Sequence, residues 1–192
     1  MLVPFAQHHS AFLIGAGLTS AKTALADITM QRVVEQRAWE ELDTRRTGIF
    51  ALYGLVYLGA VQYLLYSVLF PRLFPRAAAF AALPLAAKLS DRAGQAAVVQ
   101  QVLLDQGVHW PLMAIPAFHV FKGAGERRGT IASLRSCREC WLDDCVACWT
   151  IWVPACLVNF SFMPVALRVP FAAVVSFGYT CLVSFRHGAP GT

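Results

Sequence analysis

Residues 149–184 decide the fold. They read W149-T-I-W-V-P-A-C-L-V-N-F-S-F-M-P-V-A-L-R168, followed by a second apolar run that ends at Ser184. From Cys145 to Leu167 there are 23 consecutive residues without a charged side chain, and from Val169 to Phe185 another 17, with Arg168 alone between them. At a rise of about 1.5 Å per residue, about 20 apolar residues cross the hydrocarbon core of a bilayer. The first run can therefore span and the second nearly can, which reads as an integral membrane protein.

The rest of the chain follows the same pattern. Its 192 residues are 57% hydrophobic and 14% charged, with a mean hydropathy of +0.54, whereas soluble domains carry about 25% charged residues. The expected architecture is all-α, a single membrane domain over residues 1–192. It is a helical bundle with four principal membrane segments, about 11–34, 48–70, 93–121 and 142–163, plus a near-spanning C-terminal helix at 169–185. The first segment is only moderately apolar and carries Lys22 and Asp27, whereas the second has no charge. Gly54, Gly59 and Ala60 are the small residues that let membrane helices approach closely. Pro71 and Pro75 should end the second span, and Pro111 and Pro116 should kink the third. The apolar piece Ala77–Ala87, interrupted by Pro84, is too short to cross and is expected at the interface.

The formal net charge of +5 sits in the connecting loops. Lys122–Arg138 holds five Lys and Arg residues and Arg32–Arg46 four, against four in the longer Arg72–Arg92 connector on the opposite side. That bias places the first and third loops on the matrix, stromal or cytosolic face. The aromatics lie in the apolar runs rather than beside the basic residues, so no nucleic-acid partner is expected; the partner of such a surface is the lipid bilayer. Met1–Ser20 carries no Lys or Arg, so targeting is expected to be internal or already removed.

Charges at mid-membrane cost about 2.5–3.5 kcal/mol each on insertion scales and mark paired or functional groups. The candidates are Asp27, Asp105 and Arg168, with Gln31, Gln106 and Asn159 as polar neighbours. They can line a hydrophilic path for a small solute or ion. Alternatively they form an interhelical network in which one Asp pairs with Arg168 and the amides satisfy kinked backbone near Pro111, Pro154 and Pro164. The network is preferred, because pairing lowers the insertion cost whether or not anything is transported. His109 follows Asp105 by four residues, so a helix brings the two together, as a hydrogen-bonded structural pair rather than a proton relay.

Cys137, Cys140, Cys145 and Cys148 form C-x2-C-x4-C-x2-C, whereas zinc ribbons separate their pairs by about 15–20 residues. On one helix Cys148 lies about 16 Å beyond Cys137, too far for one tetrahedral site. Small cysteines at a helix interface are expected, and no metal. G-x-x-x-x-G-K, G-x-S-x-G and H-E-x-x-H are all missing from the sequence, so neither an enzyme nor a cofactor is expected.

Trp149, Trp152, Asn159, Phe160, Pro164, Arg168, Gly178 and Ser184 fall in register with W-x-x-W-P-x-x-Q-x-x-N-F-x-x-V-P-x-x-x-R and its following Gly-Trp pair and terminal L-S. This resembles the C-terminal signature of the Mpv/PMP family of mitochondrial inner-membrane and peroxisomal proteins. Upstream, Asp27 and Gln31 match G-D-x-x-x-Q, Asp43 and Arg46 match D-x-x-R, and Asp105, Gln106 and Pro111 match D-Q-x-x-x-x-P. Gly59, Tyr66 and Leu69 match G-P-x-x-H-x-W-Y-x-x-L. The departures are Pro154 one position late, Cys156 for Gln, Met163 for Val, Tyr179 for Trp, and Ala60, Tyr63 and Leu65 for Pro, His and Trp. Trp149, Trp152 and Tyr179 are expected at headgroup level. The resemblance implies an organellar membrane, the mitochondrial inner membrane first, then the peroxisomal or chloroplast membrane. It implies a small-solute pore or membrane-homeostasis protein. The alternative is a non-catalytic accessory subunit of a large respiratory or photosynthetic membrane complex; a homo-oligomer is the other partnership considered.

Overall fold

The computed structural model describes the backbone of residues 5–176 and the side chains of residues 12–176. Gly178, Tyr179, Ser184 and the end of the expected 169–185 helix lie outside the described residues. Seven helices account for the fold, and no strand occurs among the described residues. Helix α1 is Phe5–Thr29, extended by a π-helical turn Met30–Val34. Helix α2 is Thr44–Leu73, followed by the short α3, Pro75–Ala81, and α4, Leu85–Ser90. Helix α5, residues 92–125, joins Arg92–Leu104, a π-helical stretch Asp105–Ala114 and Ile115–Gly125. Helix α6 is Thr130–Phe162 and α7 is Val165–Ser176. By length and composition α2 and α6 can cross a membrane.

The long helices run up and down. Gly59 lies against Ala16 and Gly54 against Thr19 and Thr23, so α1 and α2 are antiparallel. A Cβ on Gly59 would stand 2.7 Å from the Ala16 Cα, and one on Gly54 would collide with the Thr19 carbonyl. Close approach of two backbones therefore requires glycine at both positions. Tyr53 meets Phe121, and Tyr66 reaches Asp105 at 3.1 Å, which fixes α2 antiparallel to α5. Trp141 to Pro111 and Trp149 to Gln106 do the same for α5 and α6. Helix α7 reverses the chain once more and runs parallel to α1, with Val169 against Gly15 and Lys22 bonded to Ser176.

Burial is inverted relative to a soluble bundle. Gln31, Gln101, Asp105 and Arg168 are each 0% exposed, while Leu13, Ile14, Leu64, Leu103, Leu112 and Leu142 face outward. An apolar outside around a polar inside is the arrangement that a lipid solvent rewards.

Four boundaries differ from the sequence reading. Pro71 does not stop α2, which runs on to Leu73; proline is accepted in the first turn of the last segment, where its missing N–H costs least. Phe74 breaks the helix, and Pro75 opens α3. The piece Ala77–Ala87 is not one interfacial helix, because the chain turns at residues 82–84 and Ala77 and Phe80 are buried in the core. The fourth span begins at Thr130 rather than 142, so Arg135 and Arg138 belong to its first turns. At about 1.5 Å per residue the 33 residues of α6 reach about 50 Å, longer than a hydrocarbon core, so its charged N-terminal part projects beyond the bilayer.

Candidate functional site

Residues 105–114 wind as a π-helix, in which an amide donates to the carbonyl five residues earlier. Pro111 and Pro116 have no N–H, so the carbonyls of Gln106 and Pro111 lack those donors. The indole N–H of Trp149 donates to the Gln106 carbonyl at 2.8 Å, and that of Trp141 to the Pro111 carbonyl at 2.9 Å. The expected kink is thus a π-helical stretch whose two open carbonyls are closed from α6. Trp149 is consequently held against α5 and Trp152 is buried in a stack on Trp110 with centroids 5.4 Å apart, so neither serves as a headgroup anchor.

The winding turns Asp105 inward. Its Oδ1 meets His109 Nδ1 at 2.8 Å, and Oδ2 accepts from Gln106 Nε2 at 2.8 Å, Tyr66 OH at 3.1 Å and Cys156 Sγ at 3.4 Å. His109 Nε2 lies 3.1 Å from Tyr57 OH. This network draws on α2, α5 and α6, and Cys156, standing where the family pattern has Gln, supplies one of its donors.

A second network closes the other end of the bundle. Asp27 Oδ1 pairs with Arg46 Nε at 2.7 Å, while Oδ2 accepts from Thr47 Oγ1 at 2.7 Å and Gln31 Nε2 at 2.8 Å. Gln31 Oε1 accepts the Asp43 N–H at 2.7 Å, and Glu35 holds the other arm of Arg46 at 2.7 Å. Asp43 caps α2 by accepting the Arg46 backbone N–H at 2.9 Å. That bond, aided by Arg127, Arg37 and Arg46, holds the Asp43 carboxyl below the usual carboxylate range. Arg45 donates to the Ala124 carbonyl at 3.0 Å, which puts the first and third loops at one end of the bundle.

Arg168 pairs with neither aspartate. It is fully buried at the opposite end from Asp27, donates to the Tyr66 carbonyl at 3.4 Å and lies 5.3 Å from the Phe160 ring. Its Nε and Nη2 have no hydrogen-bond partner among the described residues. Asp27 is out of reach by the length of the bundle, and Asp105 is already occupied. Asn159 donates to the Arg168 carbonyl at 3.1 Å, tying the Pro164 break between α6 and α7. Phe160 packs edge-on against Tyr66 at 5.4 Å and Phe70 at 5.9 Å. The cysteines lie on the continuous helix α6, where Cys137 and Cys145 pack with Ile115.

Between the two networks lies a cavity of about 610 Å³. Asp27, Glu35, Arg46, Lys122 and Glu126 stand at its mouth, and Thr19, Lys22, Gln62, Trp110 and Trp152 line its interior. Asp27 is therefore a wall residue, whereas Asp105, Gln106, Asn159 and Arg168 are not among the lining residues. Sequence reasoning missed Arg46, Lys22, Gln62 and Tyr57. For Arg46 a signal existed in D43-x-x-R46 at the start of an apolar run, and for Lys22 in a lone cation inside a membrane segment.

The sequence profile of the Mpv17 / PMP22 family matches residues 126–184. Protein SYM1 of Gibberella zeae is 28% identical over 84% of this chain and 82% of its own. Protein sym-1 of Neurospora crassa is 24% identical over 92% and 91%, and Protein sym1 of Aspergillus oryzae 27% identical over 91% and 84%. No solved structure matches. The matched residues carry the indole that closes the π-helix, the thiol on Asp105 and the Asn159–Arg168 turn, and together with the similarity to three fungal proteins along most of the chain they make this membrane protein similar to the Mpv17 / PMP22 family.

Proposed function

We propose that the chain is a conduit for small solutes across an organellar membrane, the mitochondrial inner membrane first among them. The observation that carries this reading is the 610 Å³ cavity. It has a size suited to a small organic molecule, lies inside an apolar-surfaced bundle, and holds in its wall Lys22 and Gln62, an ammonium and an amide that a merely structural core would pair off or exclude. It runs from the level of Arg46 to that of Gln62 on α2, on the order of 20 Å at helical rise. Beyond Gln62 the interior is filled by Tyr66, Phe70 and Phe160, so this is a state closed at one end, and conduction requires that aromatic cluster to yield.

The test is solute efflux from liposomes holding the purified full-length protein, with Ala147→Trp as the blocking variant. Ala147 lines the cavity yet is exposed, so the indole narrows the path without entering the core. Efflux above that of empty liposomes, lost in the variant while its thermal stability holds, supports the conduit. Equal efflux from wild type, variant and empty liposomes removes it. Native size after gentle extraction separates the accessory-subunit alternative, which requires a stable complex far larger than the 21.0 kDa chain.

A further inference from the structure

The charges inside the cavity are unevenly compensated. Every acid that lines the cavity has a partner: Asp27 and Glu35 meet Arg46, Glu126 meets Arg128 at 2.7 Å, and Asp144 meets the His119 ring at 2.8 Å. Deeper in, Lys22 is 8% exposed and its Nζ donates to the Ser176 hydroxyl at 2.7 Å, with no carboxylate among its described partners. Gln62 is 3% exposed, lines the same cavity, and hydrogen-bonds to no described residue. A buried ammonium bonded only to a neutral hydroxyl retains two N–H donors and an uncancelled charge. Between Lys22 and Gln62 the wall is aromatic, with Tyr53, Trp110 and Trp152 lining it.

The geometry points to an anion site. We infer that the cavity takes a small organic anion, its carboxylate or phosphate on Lys22, its flat apolar body against Trp110 and Trp152, and its far polar edge on the Gln62 amide. Gly54 packs at the level of Thr19 and Thr23, and Phe12 meets the ring of Tyr63. Lys22 and Gln62 therefore sit about two turns of helix apart, on the order of 10 Å, the length of a bicyclic ring system with one acidic substituent. The inference rests on the conduit reading for its purpose, but not for its chemistry. A free solute and the headgroup of an acidic lipid share that chemistry.

The experiment is calorimetric titration of the full chain in neutral detergent with 2-naphthoate and with its uncharged isostere 2-naphthamide. Wild type is expected to prefer the carboxylate by about ten- to a hundredfold, the range of a charge-assisted hydrogen bond. Lys22→Gln should erase that preference and Lys22→Arg should keep it, with circular dichroism confirming that both fold. Equal binding of acid and amide by wild type overturns the inference, as does a preference that survives in Lys22→Gln. Native mass spectrometry of the purified protein distinguishes the sources. One acidic lipid per chain, displaced by 2-naphthoate and missing from Lys22→Gln, supports the anion site with a headgroup as occupant; a chain that purifies lipid-free and prefers naphthoate supports a free solute. Selective binding without efflux leaves the site standing and removes the conduit, whereas efflux indifferent to solute charge does the reverse.

Discussion

Replacing Trp149 by Phe tests the reading of the π-helical stretch. The indole N–H donates to the Gln106 carbonyl at 2.8 Å, in place of the amide that Pro111 lacks. A buried carbonyl left without a donor costs about 1–3 kcal/mol. Trp149→Phe also trims a half-buried ring, so the total loss should be about 2–4 kcal/mol by the same scale with the lost apolar contact added. The packing part is common to any background, and the hydrogen-bond part is not. In Pro111→Ala the restored amide stands five residues after Gln106 and can donate to that carbonyl, so Trp149→Phe should cost about 1–2 kcal/mol less there than in wild type. The measurement is equilibrium unfolding in mixed micelles of a neutral and an ionic detergent, for wild type, both single variants and the double variant. A coupling of zero or of opposite sign would refute the substitution of an indole for a backbone donor.

Other perturbations read other parts of the bundle. Gly59→Leu drives a side chain into the Ala16 backbone and should destabilise the α1–α2 pair by about 3 kcal/mol or more; a melting temperature in detergent equal to wild type would remove the close approach. Asp27→Asn leaves Arg46 with Glu35 alone, and loss of a buried pair costs about 3–5 kcal/mol. Unfolding of Asp27→Asn, Arg46→Gln and the double variant should show the two singles summing to more than the double. Asp43, held below the usual range by its cap bond, contributes stability that is complete above the unfolded carboxylate value near about pH 4 and is lost as pH falls through its lower folded value. Asp43→Asn should therefore flatten the acid limb of a stability–pH profile, and an unchanged limb would exclude the cap as its source. Asp105→Asn breaks a network that lies outside the cavity lining, so the expected readout is lost stability with the efflux selectivity of any remaining folded protein unaltered.

The apolar runs made the helices legible because their length, about 20 residues without charge, leaves a bilayer few alternatives. Gly59 was legible for a similar reason, since small residues in a membrane helix have few uses besides close approach. What the chain order hid was which polar group meets which. Asp27 and Arg168 are both costly alone, and pairing them is the economical guess, yet they stand at opposite ends of the bundle; only the register of α2, set by Gly54 and Gly59 on α1, brings Arg46 to Asp27 instead. Pro111 announced a break, but that the break would be absorbed by π-winding depends on two indoles eight residues apart on a different helix. The same register explains why Gly54 and Gly59, small residues suited to close helix approach, are consumed within the chain, so bulky substitutions there report on folding before they report on any partner. It also brings the isolated cation Lys22 into line with an uncommitted amide on α2, and the spacing between them measures what the cavity can hold.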